Sequence, residues 1–235
     1  MKKIITGLLF TLLFVNNSYA RFQTLQEADI KYDFYNRDLV IHKDGTHESI
    51  VEYQITLLRE QARGFAAKFP IMYNSDSTSV DIIEAKSTLK GKEYPVESSM
   101  IEDKEVQNNA QGFDNTKQIS ISFPKPEVGA TIYLKYKMHT KKVPLKNKFF
   151  SGYYFGTDGY WEKSNVTINS AIALQMQIND PYKKLSVKKE AIKNKPNYFY
   201  KAQITLEKPV IIRTINEARS SVLNNKHLTY ISVVS

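Results

Sequence analysis

Two histidines on either side of a short turn are the first residues that suggest chemistry. His42 and His47 flank Asp44 and Gly45, and imidazole nitrogens and carboxylate oxygens are among the ligands that zinc takes in proteins. Two imidazoles and one carboxylate fall short of the four-ligand pattern of a structural zinc site. Asp44 before Gly45 is also what a tight turn requires. We therefore predict no metal site and no cofactor.

The sequence contains no recognisable catalytic motif. The chain has no cysteine, which excludes thiol nucleophiles, thiolate metal ligands and disulfides. It also lacks the glycine-rich phosphate loops, serine elbows and paired-histidine zinc motifs of common enzymes. The adjacent acids Glu102 and Asp103 lie in a polar, loop-like stretch. We predict that the chain is not an enzyme. A hydrolase with an unrecognised site stays open as an alternative, because catalytic triads assemble in space and not in sequence.

A stretch rich in glycine and aromatic residues, GYYFGTDGYW, spans residues 152–161. Aromatic side chains exposed on such turns stack on sugar rings or anchor a protein partner. The candidate ligand-binding residues of this stretch are its tyrosines, Tyr153, Tyr154 and Tyr160. Phe155 and Trp161 are instead expected in the core, because a β-sandwich commonly buries its tryptophan.

Charge is unevenly distributed along the chain. Residues 21–130 carry 13 Lys/Arg and 18 Asp/Glu, whereas residues 131–235 carry 18 Lys/Arg and 6 Asp/Glu. The basic half contains two lysine clusters, which are Lys135, Lys137, Lys141, Lys142, Lys146 and Lys148, and then Lys183, Lys184, Lys188, Lys189, Lys193 and Lys195. Lys141 and Lys142 join the candidate ligand-binding residues, since a basic field attracts an anionic membrane surface, an envelope polymer or an acidic partner. Alternatively, these lysines solvate strand faces and protect sheet edges.

The first twenty residues have the pattern of a secretory signal peptide. Lys2 and Lys3 precede an apolar run at 4–15, and Ser18 and Ala20 place small residues at the −3 and −1 positions of a cleavage site. The apolar run is shorter than the ~20 residues that a spanning helix needs. We expect cleavage after Ala20, a periplasmic or secreted location, no membrane span after cleavage, and no nucleic-acid partner.

The segments that must position these side chains are β-strands. Apolar and polar residues alternate over 51–57, 118–123, 131–138 and 171–178, and a period of two places one set on a buried face and the other on an exposed face. Turn residues at 43–46, 90–92, 124–129 and 194–197 separate these runs. Successive hairpins predict an all-β, antiparallel β-sandwich.

The expected sandwich is one domain over residues 21–235, with a weak seam near 144–151 and few helical turns. Two segments are candidates for short helices, Leu57–Ala67 and Asn216–Leu223. A final strand is predicted over Leu228–Val234.

The order of these segments resembles a bacterial β domain of unknown function that precedes transglutaminase-like core domains in envelope proteins. The residues that carry the resemblance lie within 30–180 and are Leu39–Gly45 (LVIHKDG), Val80–Ala85 (VDIIEA), the hairpin at 90–94, Phe113-Asp114, and Gln118–Tyr136 (QISISFPKPEVGATIYLKY). One departure is Lys90 before Gly91, where the family often has an acidic residue.

The resemblance implies an accessory role for this chain. In such proteins a Cys-His-Asp triad sits in a following catalytic domain, and this chain has no cysteine. We therefore expect an exported, non-catalytic binding module of a transglutaminase-like, papain-like envelope protein, whose partner is a protein or an envelope polymer. The alternatives are a stand-alone carbohydrate- or envelope-polymer-binding module and the unrecognised hydrolase.

Overall fold

The protein is a two-layered all-β structure, described here from a computed structural model for residues 23–106, 115–191, 199–211 and 228–235. In chain order the strands are β1 (Ile30–Ile41), β2 (His47–Leu57), β3 (Phe69–Asn74), β4 (Thr78–Leu89), β5 (Lys92–Pro95), β6 (Ile101–Glu105), β7 (Thr116–Ile121), β8 (Thr131–Thr140), β9 (Phe150–Phe155), β10 (Tyr160–Trp161), β11 (Ser164–Asn179), β12 (Leu185–Ala191), β13 (Phe199–Leu206) and β14 (Thr229–Val234). One α-helix, α1 (Ala62–Ala67), and 3₁₀ turns at Leu25–Glu27 and Ser98–Met100 complete the described elements.

The main layer is a long twisted sheet with the strand order β12-β13-β11-β1-β2-β8-β4-β5. The second layer, called here the covering layer, has two parts. One part is the separate sheet β3-β7-β6, and the other is formed by β9, β14 and the C-terminal half of β11. Strand β11 therefore belongs to both layers, because its first half pairs with β1 and β13 and its last residues pair with β14.

The core lies between the two layers. Leu39, Ile55 and Leu134 of the main sheet are fully buried, as are Ile121 and Ile231 of the covering layer. These residues follow the alternation seen in the sequence, since every second side chain of a strand faces the same side of its sheet. The all-β sandwich predicted from the alternation is thus confirmed, and its stability comes from this apolar interface.

Most pairings are antiparallel, with one extended exception. Strands β1 and β11 pair in parallel from Tyr35↔Ser164 to Ile41↔Ser170, and β1 also pairs in parallel with the short β10. Parallel neighbours need a long connection, and here the chain passes through several intervening strands between β1 and β10.

The predicted turns have different outcomes. The hairpins at 43–46 and 90–92 join β1 to β2 and β4 to β5. The segment 124–129 does not form a hairpin, because the strands that it joins, β7 and β8, do not pair with each other. Strand β7 pairs with β3 and β6, and β8 pairs with β2 and β4. The segment instead carries the chain from the covering layer to the main sheet. The turn at 194–197 lies outside the described residues, although the strands on either side of it, β12 and β13, do pair.

The short helical candidates and the final strand can also be compared with the structure. Leu57–Ala67 contains α1 in its last six residues, whereas Asn216–Leu223 lies outside the described part of the chain. The predicted final strand is β14, which lies between β9 and β11. In the described ranges, no helix is long and apolar enough to cross a membrane.

Candidate functional site

A cleft of about 280 Å³ opens between the two parts of the covering layer. Its floor is the inner face of β1, β2 and β8, and its walls come from β3, β9 and the turn that follows β9. The lining side chains with polar groups are Tyr32, Tyr35, Arg37, Tyr53, Tyr136, Tyr153, Tyr154, Thr157, Asp158 and Trp161. A patch of polar groups on a sheet face that is otherwise apolar marks this cleft as the candidate site.

A β-bulge in β1 brings two of the tyrosines to the same side. The pairing of β1 with β2 shifts register between Tyr32 and Phe34. Without the extra residue, Tyr32 and Tyr35 would point to opposite faces, because they are an odd number of positions apart. With it, both rings pack on Trp161, with centroids 4.7 and 5.0 Å away. From Tyr35 onward, simple alternation places Arg37 on the cleft floor.

Arg37 is the only cationic side chain that lines the cleft among the described residues. Its guanidinium lies 5.4 Å from the ring centroid of Tyr153, and its Nη2 donates a hydrogen bond of 3.3 Å to Ser49. Its Nε is buried without a partner, and no described carboxylate forms an ion pair with Arg37. Buried guanidinium groups normally have an anionic or fully hydrogen-bonded environment, so this donor is free for a ligand.

Two tyrosine hydroxyls of the cleft also lack a hydrogen-bond partner. The hydroxyls of Tyr53 and Tyr153 are buried and have no hydrogen-bond partner. Their rings are occupied by neighbours, since Tyr53 stacks on Tyr35 with the centroids 6.1 Å apart. These two residues therefore offer hydroxyl groups to a ligand and not free ring faces.

Asp158 is already engaged inside the protein. Its carboxylate accepts hydrogen bonds from the Tyr32 hydroxyl at 2.6 Å and from Trp161 Nε1 at 2.9 Å. These bonds hold the turn after β9 against β1 and β10, which fixes one rim of the cleft. Asp158 thus has a structural role here.

The protonation states make the cleft a donor site. Burial, and after it the Asp158 carboxylate, raises the pKa of Tyr32 well above its ordinary value, and burial raises the pKa of Tyr53 and Tyr136 in the same way. Burial tends to lower the pKa of Arg37, but the oxygens of Tyr35 and Tyr153 outweigh it and the net shift is upward. At neutral pH the floor therefore presents one permanent positive charge and neutral hydroxyls, an arrangement suited to an anion.

The structure brings only part of the sequence-predicted site together. Tyr153 is buried on the cleft wall. Tyr154 also lines the cleft, but this residue is 52% exposed and its ring packs on Tyr230 with the centroids 5.5 Å apart. Tyr160 does not line the cleft. Lys141 and Lys142 follow β8, roughly 16 Å along the strand from Tyr136. Phe155 and Trp161 are buried, as the core interpretation of this stretch predicts.

Sequence reasoning missed the floor of the cleft. Tyr35 and Arg37 occupy the inward positions of a strand that continues with the buried Leu39 and Ile41. The sequence did contain a signal for this site, because Arg37 lies at an alternate position from the apolar Leu39 and Ile41. A cation on the buried face of a strand needs a partner, so it points to a binding site.

The histidine turn has a structural role in the described geometry. Asp44 accepts hydrogen bonds from the backbone N–H and the hydroxyl of Thr46 at 3.0 and 2.7 Å, as a turn residue does. The His47 ring packs edge-on against Phe149 with the centroids 5.2 Å apart, and its Nδ1 lies 3.3 Å from the carbonyl oxygen of Gly45. Among the described residues no cluster of three metal-ligating side chains occurs.

We expect the free energy of unfolding to decrease as the pH falls below about 6.5, the ordinary pKa of histidine. Burial lowers the pKa of folded His47, and the carbonyl of Gly45 only partly opposes this. Below that pH the unfolded chain binds more protons than the folded chain, so stability present above it is lost as the pH approaches the depressed folded-state value. Urea unfolding of the wild type and His47→Gln over this range tests the account, with the exposed His42→Gln as control. An equal loss of pH dependence in His42→Gln would contradict it.

The fold and the cleft define the protein as a two-layered all-β domain with a donor-lined site between the parts of its covering layer. The chain belongs to the DUF3857 family, described as a "Domain of Unknown Function with solved-structure structure", whose model matches residues 43–210. The resemblance noted in the sequence is confirmed to this extent. No protein with a curated description matches the chain significantly.

Solved structures add a likeness of fold. The crystal structure of a putative protease from Parabacteroides distasonis is similar, with a TM-score of 0.71, 17% identity and coverage of 87% of this chain. This chain spans 40% of the length of that protein. An M1 zinc metallopeptidase from Deinococcus radiodurans (10% identity, 89% of this chain and 43% of that one) and native yeast LTA4 hydrolase (10%, 88% and 29%) reach TM-scores of only 0.34 and 0.36, which do not indicate a shared overall fold.

Proposed function

We propose that this chain is an exported, non-catalytic binding module whose cleft holds a carboxylate on an extended segment of a partner polypeptide. The observation that carries the proposal is Arg37, whose buried Nε has no partner and whose guanidinium has no counter-ion in the described part of the chain. A guanidinium binds a carboxylate in a fork of two parallel hydrogen bonds. The hydroxyls of Tyr53 and Tyr153 supply further donors to the same group.

An extended polypeptide suits the walls of the cleft. Strand β3 pairs only with β7, and β9 only with β14, among the described strands, so each has a free edge. Both strands line the cleft through Phe69, Pro70 and residues 152–155. A proline is tolerated at such an edge, and free sheet edges take up extended peptides through backbone hydrogen bonds.

The accessory role is supported by context. The resemblance implies a transglutaminase-like neighbour, and the Parabacteroides protein that shares the fold is much longer than this chain. A cysteine nucleophile would have to come from that neighbour, since this chain has none. The lining of the cleft contains no histidine, and Asp158 is its only described carboxylate. We propose that the module presents a partner segment to the catalytic part of an envelope protein.

Binding of matched peptides tests this proposal. The probes are a peptide of alternating valine and threonine with one central glutamate, and its counterpart with glutamine. We expect the glutamate peptide alone to shift the NMR signal of the Arg37 Nε–H. We expect Arg37→Gln to weaken its binding by roughly 10- to 100-fold, the equivalent of about 1.5–3 kcal/mol for a charge-assisted hydrogen bond.

Two further variants make the result specific. Arg37→Lys keeps the charge but loses the planar fork, so it should bind weakly while folding normally. Arg63→Gln removes an exposed arginine that pairs with Glu60 on the surface and should bind as the wild type. Equal binding of the two peptides, or equal losses in the Arg37 and Arg63 variants, would rule out the carboxylate site.

A carbohydrate- or envelope-polymer-binding module is the second candidate, favoured by the exposed Tyr154 and the half-buried Tyr230 that packs on it. These rings lie on neighbouring strands, outside the core. Sedimentation with purified peptidoglycan would separate the two hypotheses, because Tyr230→Ala, which changes no residue of the cleft lining, should abolish peptidoglycan binding and leave peptide binding unchanged.

A further inference from the structure

The connection between β8 and β9, taken together with the first residue of β9 (residues 141–150) and called here the basic loop, exposes large apolar side chains. Leu145 is 67% exposed and Phe150 is 75% exposed, the highest values among the large apolar residues described. They border an apolar groove of about 470 Å³, which Val143, Pro144 and Val234 also line. Clustered apolar exposure of this kind marks a contact surface.

The same loop is strongly basic. Its lysines are exposed and none forms an ion pair with a described residue; they are Lys141, Lys142, Lys146 and Lys148. Two acidic residues are near the loop: Asp44, whose backbone carbonyl accepts a hydrogen bond from Asn147, and Asp76, which precedes Ser77. The four lysines outnumber them, so positive charge is in excess. The groove therefore has an apolar centre and a cationic rim.

Backbone hydrogen bonds hold the loop in place. Lys141 donates to the carbonyl of Ser77 at 2.7 Å, and Asn147 donates to the carbonyl of Asp44 at 2.9 Å. The backbone N–H of Ser235 donates to the carbonyl of Phe149 at 3.1 Å, and the backbone N–H of Phe149 donates to the Ser235 hydroxyl at 2.8 Å. Phe149 is buried against His47. Leu145 and Phe150 are thus displayed by an anchored segment.

We propose that the basic loop docks this domain on a bilayer surface that contains anionic phospholipid. Leu145 and Phe150 enter the boundary between headgroups and acyl chains, and the four lysines contact lipid phosphates. Lysine is depleted at protein–protein interfaces, so the combination of lysines with exposed leucine and phenylalanine favours lipid over an acidic protein. This surface is separate from the carboxylate cleft and does not depend on it.

The second lysine cluster provides a comparison inside the same chain. Lys183, Lys184, Lys188 and Lys189 are near or on β12, where residues 183–189 include no large apolar side chain that is exposed. Charge alone would make both clusters bind anionic vesicles, whereas the proposal requires the apolar groups of the basic loop as well.

Vesicle sedimentation tests the proposal with the chain from Arg21 onward, the form expected after signal cleavage. The probes are vesicles of pure phosphatidylcholine and vesicles of equimolar phosphatidylcholine and phosphatidylglycerol. We expect binding to the anionic vesicles only. The pair Lys142→Glu and Lys148→Glu should weaken it by at least about tenfold, and Leu145→Gln with Phe150→Gln should weaken it without any change in charge.

The matched control is the pair Lys188→Glu and Lys189→Glu, which changes the net charge equally and should leave binding near the wild-type level. Thermal unfolding of each variant should show the wild-type transition, because all of these changes are at the surface. In Leu145→Trp, the new tryptophan should shift its emission to the blue on anionic vesicles. The proposal is overturned if the control weakens binding equally, if the apolar variant binds as the wild type, if polyglutamate binds in place of the vesicles, or if no binding occurs at low salt.

Discussion

Replacing Trp161 by alanine should cost about 3–5 kcal/mol in the free energy of unfolding, the range for truncating a buried aromatic side chain. Trp161 is 6% exposed, and its ring contacts Tyr32, Tyr35 and Phe155. Its backbone pairs with Val210, and its indole N–H donates to Asp158. The truncation would leave a cavity beside the floor of the cleft and would release the turn that forms its rim.

Urea unfolding followed by far-ultraviolet circular dichroism measures this loss, because the chain has a single tryptophan and its fluorescence disappears in the variant. Trp161→Phe keeps an aromatic ring and loses the hydrogen bond to Asp158, so we expect it to cost less than the alanine variant. A loss below about 1 kcal/mol for Trp161→Ala would show that the cleft floor collapses around the gap, contrary to the packing described here.

Replacing Gly45 by alanine should also destabilise the fold strongly. Gly45 has a φ of +91°, and a Cβ built there would lie 2.6 Å from the backbone oxygen of Lys148. A left-handed backbone without glycine costs about 1–3 kcal/mol. The contact with Lys148 adds to this, because a backbone atom cannot move aside without displacing the basic loop.

Gly91 supplies the matched control for this prediction. It has a φ of +76° in the β4–β5 hairpin, and a Cβ there would meet nothing within 4 Å. Gly91→Ala should therefore show the conformational cost alone, and the difference between the two variants in urea unfolding measures the clash with Lys148. Equal losses would mean that the loop yields freely, which would argue against its anchoring.

The two proposed sites give the module complementary tasks. The basic loop would hold the domain on an anionic bilayer, and the cleft would hold a polypeptide segment by its carboxylate. Because the sites use different residues, Arg37→Gln should leave vesicle binding unchanged, and the lysine variants of the loop should leave peptide binding unchanged.

Local patterns in the sequence determined much of this fold. Alternation over 51–57 and 131–138 predicted strands with one buried face, because side chains alternate with a period of two whatever the neighbouring strand is. The turns at 43–46 and 90–92 predicted their hairpins, since glycine permits the backbone conformations that tight turns need. The expected burial of Phe155 and Trp161 followed from their size and apolar character.

Tertiary structure alone decided how these strands combine and what the cleft contains. The parallel pairing of β1 with β11, the bulge that turns Tyr32 and Tyr35 to one side, and the approach of β3 and β9 depend on residues far apart in sequence. The surroundings that leave Arg37 Nε buried without a partner also come from several strands that are distant in sequence. Alternation predicts which residues of a strand share a face of the sheet. It does not predict which strands pack over that face, because this depends on the packing of the whole apolar core.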